Sequence, residues 1–555
     1  MRTSLTALLA LSSPLVANAL NVFDWLYPNS GSATVSNEVV PHRIAVIGAG
    51  AGGSSAAFWL SKAKTRAGVS VEVDVFERAA YVGGRSTTVF PYDDRTLDPV
   101  ELGASIFVTA NKNLWRASQE FNLTKLVLDD DGVTGFWDGE KFVFTMKESK
   151  GILGWIDTIK ALWRYGYRSP ARAQALVQEM IDKFVTLYTP SSPSWSNISE
   201  LASDLGWVDL VTQTAAQYLD AQGVSQLFSR EIIEAASRVN YGQNLDELHA
   251  LEGAVSMAAS GASSVKGGNF QIFEHFLGHS GAHVYLNTSV ISVTEKQHQW
   301  ILKTSTGESK NYNDVIIAAP YHTSGINVAL STGLLAPASA PEVPPQPYVH
   351  LHVTLLTTTA LHPDPAYFGL KPGSKVPQTI LTTYEGARRG GRVPEFNSLS
   401  YHGKVSSDRE EYVVKIFSNE TLSDEWLKTV FGGKVGWVLR KEWDAYPRLP
   451  PTDSFPPVVL APGLYYVNAF EPFISTMETE TISSRNVVDQ LFRSRFGVDI
   501  CGKAIPVRAE QPEPIAVLEG EVEQLVLSDV VEESAKAAPK PEKVKEDFVL
   551  GWDCA

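Results

Sequence analysis

The stretch from Pro41 to Arg85 restricts the fold of this chain more than any other. Ile44 to Ile47 is a short apolar, β-branched run, as expected of a buried parallel strand. Gly48, Gly50 and Gly53 follow at the spacing G-x-G-x-x-G. In such a turn the first glycine permits the tight bend and the second lets backbone approach a pyrophosphate. The third lets the next helix sit close on the sheet. That helix, expected over about Ser54 to Ala63, aims its N-terminal N–H groups and positive dipole end at the phosphates. A second strand, Val71 to Phe76, ends at Glu77, whose carboxylate suits the ribose hydroxyls, and Arg78 stands beside it. The order strand, glycines, helix, strand, acid predicts a dinucleotide site. An ordinary glycine-rich turn would leave the position of Glu77 unexplained.

Val82-Gly83-Gly84-Arg85 adds a second bare-backbone turn within a few residues of the acid. Two such turns side by side suit the long FAD molecule, with Arg85 available to the pyrophosphate. The arrangement resembles the FAD site of amine oxidase and glutathione reductase-like flavoproteins. The fold class expected is therefore α/β, a Rossmann-like FAD-binding domain of that type with an inserted α+β substrate domain.

Later segments extend this plan. Ser86 to Phe90 reads as a strand, and the small residues after Glu101 (Leu102 to Phe107) either return the chain to the flavin or simply end a strand. Residues 111–261 show helical patterns, for example Trp155 to Trp163 and Ala171 to Tyr188, expected of a substrate cover. A helix near Gln271 to Leu277, a strand pair at Val284 to Val293 and Trp300 to Thr304, and a buried strand Asp314 to Ile317 look like a second portion of the flavin domain. Pro337 to Pro347 reads as a linker. Strands at Tyr348 to Thr357, Gln378 to Thr383 and Tyr412 to Phe417 suggest a substrate-domain sheet. A strand at Gly463 to Ala469 and a helix over Thr476 to Arg493 close the flavin domain. The expected division is 42–110, 262–330 and 455–498 for FAD, 111–261 and 336–454 for substrate. Residues 506–555, rich in Glu, Pro, Ala, Lys and Val, are expected to be largely disordered.

At 44% hydrophobic and 20% charged residues the 555-residue chain can bury a large core. A net charge of −15 argues against nucleic acid or an anionic membrane as partner. Arg2, the apolar run Leu5 to Leu11 and Ala17-Asn18-Ala19 read as a signal peptide over residues 1–19. No later apolar run is long enough to span a bilayer. Secretion would give meaning to sequons at Asn122, Asn197, Asn287 and Asn419. The two cysteines, Cys501 and Cys554, either pair and tie down the tail or remain free thiols; they form neither a C-x-x-C redox pair nor a zinc cluster.

Several stretches together carry a more specific resemblance: Trp163 to Gly166, Arg238-Val239-Asn240-Tyr241-Gly242-Gln243, Gly253 to Ser256, Lys415 to Ser418, Trp443 to Pro447 and Leu464 to Asn468. From about Arg43 to Leu491 the chain resembles prenylcysteine oxidase. The resemblance implies a lysosomal or vacuolar FAD enzyme, with extracellular space the other address. It would cleave S-farnesyl- and S-geranylgeranyl-cysteine with O2 and water to cysteine, prenyl aldehyde and hydrogen peroxide. It points to Asn240, Tyr241 and Gln243 as catalytic candidates, the alternative being a hydrogen-bonded turn between helices. Glu471 is a candidate base or amino-group partner, or a helix cap, and Lys266 a flavin neighbour or a solvated loop lysine. An apolar tunnel with a polar end would suit the substrate, and peripheral contact with lipid is compatible with it. Two competing readings are an amine oxidase or desaturase-like enzyme on the same frame, and a flavin-fold lipid binder without turnover.

Overall fold

The computed structural model describes residues 40–127, 132–147, 160–259, 261–330, 343–505 and 547–554. The signal peptide, the helix expected at Trp155 up to residue 159, the proline-rich stretch through residue 342 and the tail over 506–546 lie outside the described residues.

Short β-branched runs form a six-stranded sheet in the order Val459–Ala461, Leu464–Tyr466, Asp314–Ile317, His42–Ile47, Val71–Phe76 and His283–Tyr285. All neighbours pair in parallel except the antiparallel edge at Val459–Ala461. Two long helices cover this sheet. Ala51–Ala67 rises from the glycine turn and stops at Gly68 in the left-handed conformation. Met477–Phe496 starts at Thr476, whose hydroxyl accepts from Thr479 N–H. It is buried nearly all round despite its polar composition, because its hydroxyls are satisfied inside: Ser484 Oγ donates to Gly52 O at 2.6 Å and Ser483 Oγ to Val467 O at 2.7 Å.

A seven-stranded sheet runs Val435–Pro447, Tyr348–Thr358, Tyr412–Ser418, Ser398–Lys404, Thr379–Thr382, Val133–Trp137 and Phe142–Lys147. Its last two strands correct the sequence reading, which took residues 111–261 as helical. Asp138-Gly139 turns a hairpin there, with the Asp138 carboxylate accepting from the N–H groups of Glu140 and Lys141. The helices of that region are nevertheless present, Arg168–Phe184 foremost.

The C-terminal end of the tail is a second correction. Phe548, Val549 and Trp552 are buried, and Cys554 is disulfide-bonded to Cys501. Trp552 packs on Phe58, Trp59, Phe121 and Phe276, with Lys62 over its ring. Arg66 donates to the carbonyls of Gly551 and Trp552. An aromatic side chain with a waiting hydrophobic seat outweighs the polar composition before it. No helix among the described residues is long and apolar enough to cross a membrane.

Candidate active site

The parallel strands His42–Ile47, Val71–Phe76, Asp314–Ile317 and Leu464–Tyr466 all end on one edge, where open α/β sheets bind ligands. Gly48 sits there at φ 107°, and a Cβ on it would lie 2.4 Å from Ala318 O. Gly50 bridges Gly83 backbone to backbone, and Gly83 N donates to Ala49 O at 2.9 Å. The two glycine turns thus form one bare surface, as their closeness in sequence suggested. Gly53 seats the helix, since a Cβ on it would meet Gly48 O at 1.8 Å. Glu77 is buried at the strand end, its carboxylate accepting from Ala49 N–H at 2.8 Å and Ala79 N–H at 2.7 Å. Arg78 beside it is exposed.

This edge fits a dinucleotide of FAD length. Beyond the cradle, Glu480 is buried with neither carboxylate oxygen partnered, and it faces Gly52 at the start of the first helix. Burial, and then the charge of Glu471, push its carboxyl well above the ordinary range. The neutral acid is favoured there, and it can donate to an anionic group that a carboxylate would repel. Asn468 Oδ1 is likewise buried without a partner.

Between this cradle and the seven-stranded sheet lies a small cavity lined by Tyr321, Tyr348, Tyr466, Asn468 and Pro472. The Glu471 carboxylate stands at its side, 1% exposed. Its Oε1 is 2.5 Å from Arg85 Nη2, and its Oε2 accepts from Tyr348 O–H at 2.7 Å and Asn468 Nδ2 at 3.3 Å. Arg85, expected at the pyrophosphate, is thus engaged with Glu471 and also donates to Ala445 O at 2.9 Å. Burial and the Glu471 charge hold the hydroxyls of Tyr348 and Tyr466 protonated, far above the usual tyrosine range. A second buried pair lies further along. Lys415 donates to Glu101 O at 3.0 Å and Ser105 Oγ at 2.8 Å, and burial lowers its ammonium pKa.

Residues 148–500 match the sequence model of the prenylcysteine lyase family, and residues 46–121 that of an NAD(P)-binding Rossmann-like domain. The chain belongs to the prenylcysteine lyase family. It is 30% identical over 510 residues to farnesylcysteine lyase of Arabidopsis thaliana, covering 89% of this chain and 94% of that one. With human prenylcysteine oxidase 1 the identity is 30% over 469 residues, 80% and 88% of the two chains. Among solved structures, cyclohexylamine oxidase from Brevibacterium oxydans superimposes with a TM-score of 0.52 at 15% identity, over 82% of this chain and 100% of that one. That likeness gives the fold: a Rossmann-like α/β frame of the amine oxidase type.

The prenylcysteine lyase match contains Arg238 to Gln243, and the structure gives Arg238, Asn240, Tyr241 and Gln243 partners. Gln243 donates to Pro447 O at 3.1 Å and accepts from Leu449 N–H at 3.0 Å. Asn240 donates to Ser256 O at 3.2 Å. Tyr241 lies edge-on to Tyr446 at 5.6 Å, and its neighbour Glu252 has a carboxyl that burial pushes up to about 8. Arg238 reaches Thr382, Asn244 and Asn397. The motif therefore grips the end of the strand Val435–Pro447, where Ala445 O receives Arg85. Lys266 is exposed and uses its backbone, donating to Thr124 O. Sequence reading missed Glu480, Tyr348, Asn468, Lys415 and Glu101 as candidates. Only Lys415 left a local signal, a charge inside the apolar run Val413 to Phe417.

Proposed function

We propose that this chain is an FAD-dependent thioether oxidase that converts S-prenyl-cysteine, O2 and water into cysteine, prenyl aldehyde and hydrogen peroxide. The observation that carries the proposal is the bare glycine cradle opening toward the buried Arg85–Glu471–Tyr348 cluster, in a member of the prenylcysteine lyase family. When bound, FAD supplies a two-electron acceptor for the hydride leaving the allylic carbon beside sulfur, and O2 then takes the electrons. Gly50, Gly83 and Gly84 would hold the diphosphate, with Gly48 setting the bend and Gly53 seating the helix, and Glu77 would hold the ribose. The protonated Glu480 would face the anionic part of the cofactor.

The remaining work falls to the chain's own side chains. Water must be kept from the substrate until sulfur shares a positive charge, then admitted to the same carbon. Tyr321, Tyr348 and Tyr466 make a wall of apolar ring faces with polar edges, suited to that selection. Glu471, paired with Arg85, is placed to hold the amino group of cysteine or to orient the water. Asn240, Tyr241 and Gln243 act in this reading by positioning the strand that carries Ala445.

The same reading sends the chain along the secretory route to a vacuole or lysosome. The N-terminal signal pattern, the exposure of all four sequon asparagines and the Cys501–Cys554 bridge support it. Contact with a lipid surface is part of it too, supported by Trp163 and Tyr167 at 89% and 75% exposure. The test is to feed purified protein farnesylcysteine and, separately, polyamines. Peroxide and farnesal in equal amounts from the thioether are expected. Peroxide from an amine and none from the thioether would replace this reading with an amine oxidase.

A further inference from the structure

We propose that His350, His352 and Glu442 form a site for a divalent transition-metal cation, zinc foremost, on the solvent side of the seven-stranded sheet. His350 and His352 are two residues apart on the strand Tyr348–Thr358, so their side chains leave the same face. The neighbouring antiparallel strand Val435–Pro447 sets Asp444 opposite His350 and Glu442 opposite His352. One ligand atom from each of His350, His352 and Glu442 lies within 4.8 Å of the other two.

The separations suit a metal shell. His350 Nε2 is 3.7 Å from Glu442 Oε2, and His352 Nδ1 is 3.4 Å from Glu442 Oε1. Two donors on a tetrahedral zinc are roughly 3.3–3.5 Å apart, from metal–ligand bonds of about 2.0–2.1 Å. Asp444 Oδ1 meets the other nitrogen of His350, Nδ1, at 3.2 Å. A carboxylate accepting the far N–H of an imidazole is the usual second partner of a metal-bound histidine, fixing its tautomer and ring plane. Thr421 Oγ1 lies 3.1 Å from His352 Nδ1 and 3.4 Å from Glu442 Oε1, so its hydroxyl can stay on the carboxylate when a metal takes the nitrogen. The cation of Arg440, two residues before Glu442 and so on its face of the strand, is committed to Asp424 at 2.6 Å. Two imidazoles and one carboxylate favour zinc, copper or nickel over magnesium or calcium, and leave a position open to water. The alternative is a set of exposed ion pairs, which hold no metal.

The test is calorimetric titration of tag-free, full-length, chelator-treated protein with ZnCl2, and with MgCl2 as control. One equivalent of zinc and no magnesium are expected. The double variant H350A/H352A should lose roughly a hundredfold or more in affinity, and D444N about tenfold to a hundredfold, the usual effect of removing such a carboxylate. Zinc should raise the thermal midpoint of the parent protein and leave that of the double variant unmoved. Circular dichroism and cofactor content confirm that the variant is folded. No zinc uptake by the parent protein, meaning ion pairs only, or unchanged uptake by the folded double variant would overturn the proposal.

Discussion

Gly48 and Gly50 stand two residues apart in one turn, yet a methyl group should affect them differently. At Gly48 the backbone is at φ 107° and a Cβ would press on Ala318 O at 2.4 Å, so alanine there strains the fold itself. At Gly50 the backbone is extended and the nearest atom to a Cβ is 3.7 Å away. A bulkier residue at Gly50 is therefore compatible with folding but fills the cradle. Gly50→Val is expected to give soluble protein that lacks the visible flavin band and makes no aldehyde, while Gly48→Val is expected to fail to accumulate. Absorbance and far-ultraviolet circular dichroism separate the two. Glu252 and His249 make a second contrast. Burial pushes the Glu252 carboxyl up to about 8 from 4.5 and the His249 imidazole down to about 4 from 6.5. Glu252 is thus protonated in the fold, and its stabilising contribution is complete below its unfolded value and lost as pH rises toward 8. His249 is neutral in the fold, so its contribution is lost as pH falls from about 6.5 to 4. Each unit of separation is worth at most about 1.4 kcal/mol. Glu252→Gln, which cannot ionise, should flatten the fall in thermal midpoint between about pH 5 and pH 8 and leave the acid side unchanged.

At the level of elements, the turn ending at Gln243 and the strand Val435–Pro447 act as a clasp. Gln243→Ala removes the partners of a buried carbonyl and a buried N–H, a loss of about 1–3 kcal/mol. Because Ala445 O anchors Arg85, the variant should also turn over more slowly, whereas Gln243→Glu should keep the acceptor for Leu449 N–H and lose the donor to Pro447 O. Steady-state rates and chemical denaturation of both variants check this. The glycine turns, Glu77 and the parallel strands were legible because each requirement is local: a bend, a bare backbone, a β-branched run. The hairpin at 133–147 was missed despite the turn signal Asp138-Gly139, because its surroundings read as helical and its pairing partner, Thr379–Thr382, is far along the chain. The polar cluster was not legible. Arg85 and Glu471 meet only when the closing strand returns to the first, and nothing near Glu480 in sequence says that it faces Gly52. Arg238 to Gln243 was legible as a family mark without revealing what it does, because its partners lie on other elements.

For the whole molecule, the tail matters more than its composition suggests. Trp552 fills an aromatic seat on the first helix, and Cys554 is bonded to Cys501 across a separation of 53 residues. Closing a loop of that length contributes roughly 4 kcal/mol in the chain-entropy treatment. Cys554→Ser is expected to lower the thermal midpoint by several degrees, measured by differential scanning calorimetry, with flavin content retained. The seat around Phe58, Trp59 and Arg66 lies along the later turns of the helix, away from its N-terminus at Gly50. The bridge has a consequence for damage as well. A single peptide-bond break anywhere between the two half-cystines opens the covalent ring without releasing a fragment. The nicked protein would therefore migrate as one band in a denaturing gel until thiol is added, and separate into two pieces afterwards.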